Sequence, residues 1–175
     1  KGAFYLFYAS KEIFFMDVVE QAEKRYRLEI LAAVDRPGPS PRARLLAVLK
    51  TAFTLWKTIP LFQAFSSSEF EVLARRIPPE VLQEHMASDR VFIEELIARC
   101  RRSGILIQAP LDQVHDLTYT LLFASLHEND FGPGSFAGSI DLMLELVAAF
   151  WLGEITLLPG PTVTTTSQPD ESRHP

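Results

Sequence analysis

The sequence predicts an all-α protein, and three observations carry that prediction. Apolar residues recur at three- and four-residue spacing over long stretches, as on one face of a helix. No run of alternating apolar and polar residues marks a half-buried strand. Pro, Gly and Ser gather at the boundaries between the periodic stretches, where helices start and stop. The 175 residues are 47% hydrophobic and include 13 Phe. That is enough apolar material for one buried core, and too aromatic for a disordered chain.

The elements follow in order. Ser10 stands where an N-cap belongs, its side-chain oxygen able to accept from an orphan N–H of the first turn. Phe14, Val18, Ala22, Tyr26, Ile30 and Val34 then recur every fourth residue as the stripe of a long helix. Asp35-Arg36-Pro37-Gly38-Pro39 ends it, because two prolines and a glycine cannot continue the ladder. Ser40-Pro41 opens a second helix with a cap and a proline at the first helical position. Its inward stripe is Leu45, Val48, Leu49, Ala52, Phe53 and Trp56. A short helical piece from Ile59 to about Phe65 follows. Ser66 with Glu69, or Ser68 with Glu71, has capping-box spacing for another short helix to about Ile77.

Pro78-Pro79 forces a break, and Glu80 to Arg102 forms the second long helix. Val81, Leu82, Met86, Phe92, Ile93, Leu96, Ile97 and Cys100 are its expected inward residues. Arg99, Arg101 and Arg102 suit the negative helix end, and Gly104 can take a left-handed conformation with Ile105 packing back. Asp112 is the expected cap of a helix to about His127, and a glycine-rich loop leads to a last helix from about Phe136 to Gly153. Residues 159–175 are rich in Thr, Ser and Pro and read as a flexible tail.

Charge divides the chain. Residues 1–103 hold 16 basic and 13 acidic side chains, whereas residues 104–175 hold 1 basic and 9 acidic. The net charge of −5 excludes a protein coated in positive charge, and only the first part can tolerate a polyanion nearby. No run approaches the roughly 18 apolar residues of a membrane span, because Asp141, Glu145 and Glu154 interrupt the greasiest stretch. The single cysteine, Cys100, cannot form an internal disulfide and fits a reducing cytoplasm.

The opening segment, KGAFYLFYASKEIFF, places Gly2, Phe4, Tyr5, Phe7, Tyr8, Ser10, Lys11 and Glu12 in a specific order. It resembles the junction between recognition helix and first core helix in TetR-family repressors. The resemblance is strong over the first fifteen residues and looser along the rest. It implies a TetR-like regulatory helical domain preceded by the tail end of a helix-turn-helix. Residues 1–10 are then the remnant of a DNA-binding domain, and residues 11–158 a ligand-binding and dimerisation domain. Roughly 40 further residues upstream would complete the helix-turn-helix.

On this resemblance, Lys1, Tyr5 and Lys11 contact the DNA backbone, which positions a protein without reading bases. Phe4 and Phe7 are expected in the core of the small domain. The function implied is a ligand-responsive regulator that binds palindromic operator DNA as a homodimer and is released by a small apolar effector. An all-α enzyme or small-molecule carrier without DNA binding is the alternative. A purely structural dimerisation module would leave the opening motif unexplained.

Candidate effector-binding residues are Trp56, Phe62, Phe65, Phe92, His115, Tyr119 and Phe123. They supply an aromatic chamber between helices, with Gln63, Thr118, Tyr119 and His115 as orienting polar groups. Leu121, Leu122, Leu142, Leu146, Ala149 and Phe150 are the expected dimer interface, because the last two helices are apolar on more than one face. No enzyme is expected: the chain lacks a nucleophile elbow, a phosphate-binding loop and a dinucleotide fingerprint. Ferritin-like carboxylate sites need Glu-x-x-His motifs on facing helices, and none falls on the predicted helices. No cofactor or metal is expected. His85 with Asp89, or His115 with Asp112, offers two ligands on one helix face, short of the three or four that a dedicated site requires.

Overall fold

The computed structural model describes residues 4–130 and 134–155, and the described chain is all-α. Seven helices run in order: α1 (Lys11–Val34), α2 (Pro41–Thr58), α3 (Pro60–Gln63), α4 (Ser68–Ala74), α5 (Pro79–Arg102), α6 (Leu111–Ser125) and α7 (Ser135–Trp151). Short 3-10 turns lie at Phe4–Leu6, Ala64–Ser66 and Glu128–Asp130. Lys1, Gly2 and the expected tail over 159–175 lie outside the described residues.

Helix starts follow from local chemistry where a hydroxyl stands at the boundary. Ser10 Oγ accepts from Ile13 N at 3.3 Å, and Ser40 Oγ accepts from Ala43 N at 3.1 Å. α4 is capped by Ser67, which accepts from Phe70 N at 3.1 Å, and not by Ser66 or Ser68. Asp112 does not cap α6. Pro110 occupies the cap position, and Asp112 sits in the first turn with its carboxylate 2.6 Å from Arg90. An acid in the first turn suits the positive helix end as well as a cap does, so composition cannot place it to one residue.

The end of α5 is built as expected. Gly104 has φ of 79°, Gly104 N donates to Arg101 O at 3.1 Å, and Ile105 N reaches back to Cys100 O at 2.8 Å. Ile105 is fully buried by that return.

The core joins α1, α2, α5, α6 and α7 around Ile30, Val34, Leu45, Val48, Ile93 and Val114. The stripe expected on α1 holds only in its second half. Phe14 is exposed, and the inward row is Met16, Val19, Tyr26, Ile30 and Val34. A strict four-residue step gains about 40° per step on a helix of 3.6 residues per turn. Alternating three- and four-residue steps stay on one face, and that row passes through Glu23. On α5, Leu82 and Met86 are exposed, while Asp89 is buried beside Ile93, Leu96 and Cys100. Burial pushes the Cys100 thiol up to about 11.

Arg44 on α2 ties two helix ends together. Its guanidinium donates to Val34 O at 2.9 Å, Arg36 O at 3.2 Å and Ser103 O at 2.7 Å, satisfying orphan carbonyls at the ends of α1 and α5. A Cβ at Gly38 would meet Arg44 Cγ at 2.6 Å, so the Pro-Gly-Pro loop needs glycine to let this arginine pass. At the same end, Arg99 pairs with Asp35 at 2.5 Å.

Gly104→Ala should cost about 1 kcal/mol. A Cβ there meets nothing within 4 Å, so the cost is conformational alone. Urea unfolding of the variant against the parent is the check, and equal stabilities would show that the left-handed turn does not constrain α5.

Candidate functional site

The aromatic residues singled out in the sequence do meet. Trp56 stacks on Phe62 with centroids 4.5 Å apart, and Phe62 meets Tyr26 edge-on at 5.6 Å. Phe65 stacks on Phe70 at 4.6 Å and turns an edge to Trp56 at 5.8 Å. Tyr26, Trp56, Phe62 and Phe65 border an inner cavity of about 130 Å3, with Phe92, Thr118, Tyr119 and Phe123 also on its wall. Such a volume suits a group the size of a benzene ring. Trp56 and Trp151 both line the cavity, and their buried Nε1 donors have no hydrogen-bond partner among the described residues.

A second, outer cavity of about 430 Å3 opens between the N-terminal halves of α1 and α5. Phe15, Met16 and Val19 line it from α1, and Leu82 and Met86 from α5. This explains why Leu82 and Met86 are exposed in a stripe expected to be core. The volume lies in the range of small-molecule sites. His115 borders this cavity rather than the inner one; its ring lies 4.7 Å from Tyr119, and Nδ1 is 3.0 Å from Asp116 Oδ1. Gln63 is not an orienting group at either cavity, since its Nε2 donates to Trp56 O at 3.2 Å.

His85, Asp89 and Tyr119 border both cavities, and Glu23 and Arg27 join them at the inner one. Arg27 Nη2 lies 2.5 Å from Asp89 Oδ1 and 3.0 Å from Glu23 Oε2, while Nη1 donates to Ser88 Oγ at 2.8 Å. The guanidinium also lies 5.3 Å from the Phe92 ring centre, a cation–π contact. Two carboxylates against one guanidinium leave a negative charge unmatched. Glu23 is pushed up to about 7, first by burial and next by the Asp89 charge, against the pull of Arg27. Burial, and then the Asp89 charge, also raises the Tyr119 hydroxyl.

Glu23 and Arg27 were not legible as site residues, and His85 with Asp89 was legible only as an incomplete pair. The missing signal is the α1 register: a three-then-four step from Met16 and Val19 lands on Glu23, which then faces α5.

The residues expected at DNA and at a partner subunit are less gathered. Tyr5 and Lys11 are exposed, with Lys11 opening α1. Phe7 is 82% exposed and not in a core; Lys1 lies outside the described residues. Of the expected interface, Leu121, Leu122 and Ala149 are buried within this chain and present nothing to a partner. Leu142 and Leu146 point outward with Met143 beside them, and Phe150 is half-buried. Helix phase alone does not separate them: at 100° per residue Ala149 lies about 60° around α7 from Leu146, and it is nevertheless 4% exposed where Leu146 is 50%.

Comparison of the chain with protein-family models, curated proteins and solved structures yields no match.

Arg27→Leu should strand both carboxylates and destabilise the fold by about 3 kcal/mol or more. Adding Glu23→Gln and Asp89→Asn should restore part of that loss, because the unpaired charges are then gone. Urea unfolding of the single and triple variants measures both, and an unchanged midpoint for Arg27→Leu would show that the cluster is solvated.

Proposed function

We propose that the chain is the effector-binding and dimerising part of a TetR-type transcriptional repressor. In this reading it acts in the cytoplasm, binds palindromic operator DNA as a homodimer, and releases it when a small apolar effector enters the cavities. The observation that carries the reading is the Phe4–Glu12 motif opening a helix that passes along both cavities. Among the described residues no helix is long and apolar enough to cross a membrane, so nothing there competes as a membrane anchor.

α1 is the element through which the two ends would communicate. Ser10 caps it, and the exposed Lys11 stands in its first turn, where free N–H groups favour a phosphate. Glu23, at the cavity wall, lies about 18 Å along the same helix at 1.5 Å per residue. An effector that prefers one orientation of α1 over another shifts the protein between DNA-binding and released states; one that binds both equally shifts nothing. The outward row Leu142, Met143 and Leu146 on α7 supplies the dimer contact in this reading. A two-fold axis through it sets two recognition helices one DNA turn apart.

A carrier without DNA binding is the second reading, and the two apolar cavities alone favour it. Ligand binding, followed by Trp fluorescence, is common to both readings. DNA binding separates them.

The protein extended by its upstream residues should bind palindromic DNA with an affinity that falls steeply with salt, because counterion release dominates. Tyr5→Phe and Lys11→Ala should weaken all sites alike. A salt-independent affinity, or a changed sequence preference in these variants, ends the repressor reading.

Sedimentation at micromolar concentration should give a dimer, and Leu146→Glu a monomer or an aggregate with DNA binding lost. A monomeric parent would remove the two-fold arrangement from the proposal.

A further inference from the structure

The cluster shared by the cavities contains an arrangement that ion pairing alone does not explain. His85 and Asp89 are one helical turn apart on α5, and Glu23 faces them from α1. His85 Nε2 lies 3.5 Å from Glu23 Oε1 and 3.7 Å from Asp89 Oδ2. Both separations exceed the 2.7–3.2 Å of a good N–H···O hydrogen bond. The three donor atoms nonetheless converge, all within 4.8 Å of one another. Metal–ligand bonds of about 2.1 Å at tetrahedral angles put neighbouring donors about 3.4 Å apart. The imidazole distances match that spacing.

The division of oxygens points the same way. Arg27 takes Glu23 Oε2 and Asp89 Oδ1, and the other oxygens, Oε1 and Oδ2, are the ones closest to His85, with the Tyr119 hydroxyl also bonded to the Asp89 carboxylate. Outer partners that hold the far oxygen of a ligating carboxylate fix the near one, as around established metal centres. His85 side-chain exposure is 16%, Glu23 14% and Asp89 9%, so these donors are not a solvated surface group. All three border the inner cavity, and His85 and Asp89 also border the outer one, which provides an entry path.

We propose that Glu23 Oε1, His85 Nε2 and Asp89 Oδ2 form a three-ligand site for a divalent transition-metal ion such as Zn2+ or Co2+. One imidazole with two carboxylates suits such ions, whereas Mg2+ and Ca2+ take oxygen ligands. The fourth position faces the cavity, where water or a coordinating group of a small molecule completes it. The site requires no DNA, so its test is separate from that of the repressor reading.

Calorimetric titration of the chelator-treated chain with Zn2+ should give one equivalent of binding. His85→Gln should weaken it by about 100-fold or more, at or beyond the effect of losing an outer partner. Asp89→Asn should do the same, and His127→Ala with His174→Ala should leave affinity unchanged. Co2+ bound to the parent should give the intense visible bands of a four-coordinate site, a readout that depends on no variant. Saturation by several weak equivalents, affinity retained in folded His85→Gln, affinity lost with His127 and His174, or faint bands of six-coordinate Co2+ would each overturn the proposal.

Discussion

The Arg27 guanidinium is the contact on which the rest of the arrangement depends. α1 and α5 run parallel, joined at their C-terminal ends by Asp35 with Arg99 and by Arg44 across the last carbonyls. Midway, Arg27 joins them again through Asp89. Between these ties the interface is apolar, with Ile30, Val34, Ile93, Leu96 and Cys100 closing it. Beyond the contact of His85 with Glu23, no ion pair among the described residues draws the two helices together toward their N-termini, and the outer cavity opens there. The polar tie is thus both the floor of one cavity and a wall of the other. Buried ion pairs are weak evidence of stability, because desolvation offsets most of their attraction. A fold that seals α1 to α5 with apolar residues along their whole length was chemically open to this chain. The metal site proposed above gives the charge at this height a role beyond holding the two helices together.

The uneven charge of the chain is resolved within it. Arg42 reaches Glu145 at 3.1 Å and Glu154 at 2.8 Å, Lys50 reaches Asp141 at 2.9 Å, and Arg90 reaches Asp112 at 2.6 Å. Lys57 pairs with Glu128 as well. Basic residues from the first part therefore meet acidic ones from the second, across α2 with α7 and α5 with α6. Each pair is substantially exposed and worth little alone. Together they orient α7, whose acidic edge faces α2 while Leu142 and Leu146 face outward. They also reduce the positive charge available for a polyanion, leaving the N-terminal end around Lys11 as the place where the repressor reading puts it.

Local chemistry was legible in the sequence and register was not. Ser10, Ser40 and Gly104 act within one turn of themselves, so residue type and position suffice to assign them. The inward face of a 24-residue helix is a cumulative property, and an error of a few tens of degrees per step displaces its far end. That is why Tyr26, Ile30 and Val34 were placed correctly while Phe14 was not, and why Glu23 was missed. The aromatic chamber was legible because large rings with few alternatives must pack together. Its division into two cavities was not, since that depends on where α1 and α5 part. Leu121, Leu122 and Ala149 show the same limit: an apolar residue near a helix edge is equally suited to its own core or to a partner's.

Trp56 and Trp151 line the inner cavity and carry indole donors without a partner among the described residues. Leaving a buried N–H unsatisfied costs about 1–3 kcal/mol, and few such groups survive in well-packed cores. Trp56 comes from α2 and Trp151 from the last turn of α7, so two elements each bring one to the same apolar wall. Phe or Leu would fill similar space without that cost. The cavity itself offers aromatic surface, with the Glu23, Arg27 and Asp89 cluster also on its wall. In the repressor reading proposed above, that surface suits a small, largely apolar molecule. α7 gives the choice a consequence: Trp151 borders the cavity, while Leu142 and Leu146 face outward on the same helix. A molecule that repositions Trp151 acts on the element that also carries the exposed apolar row.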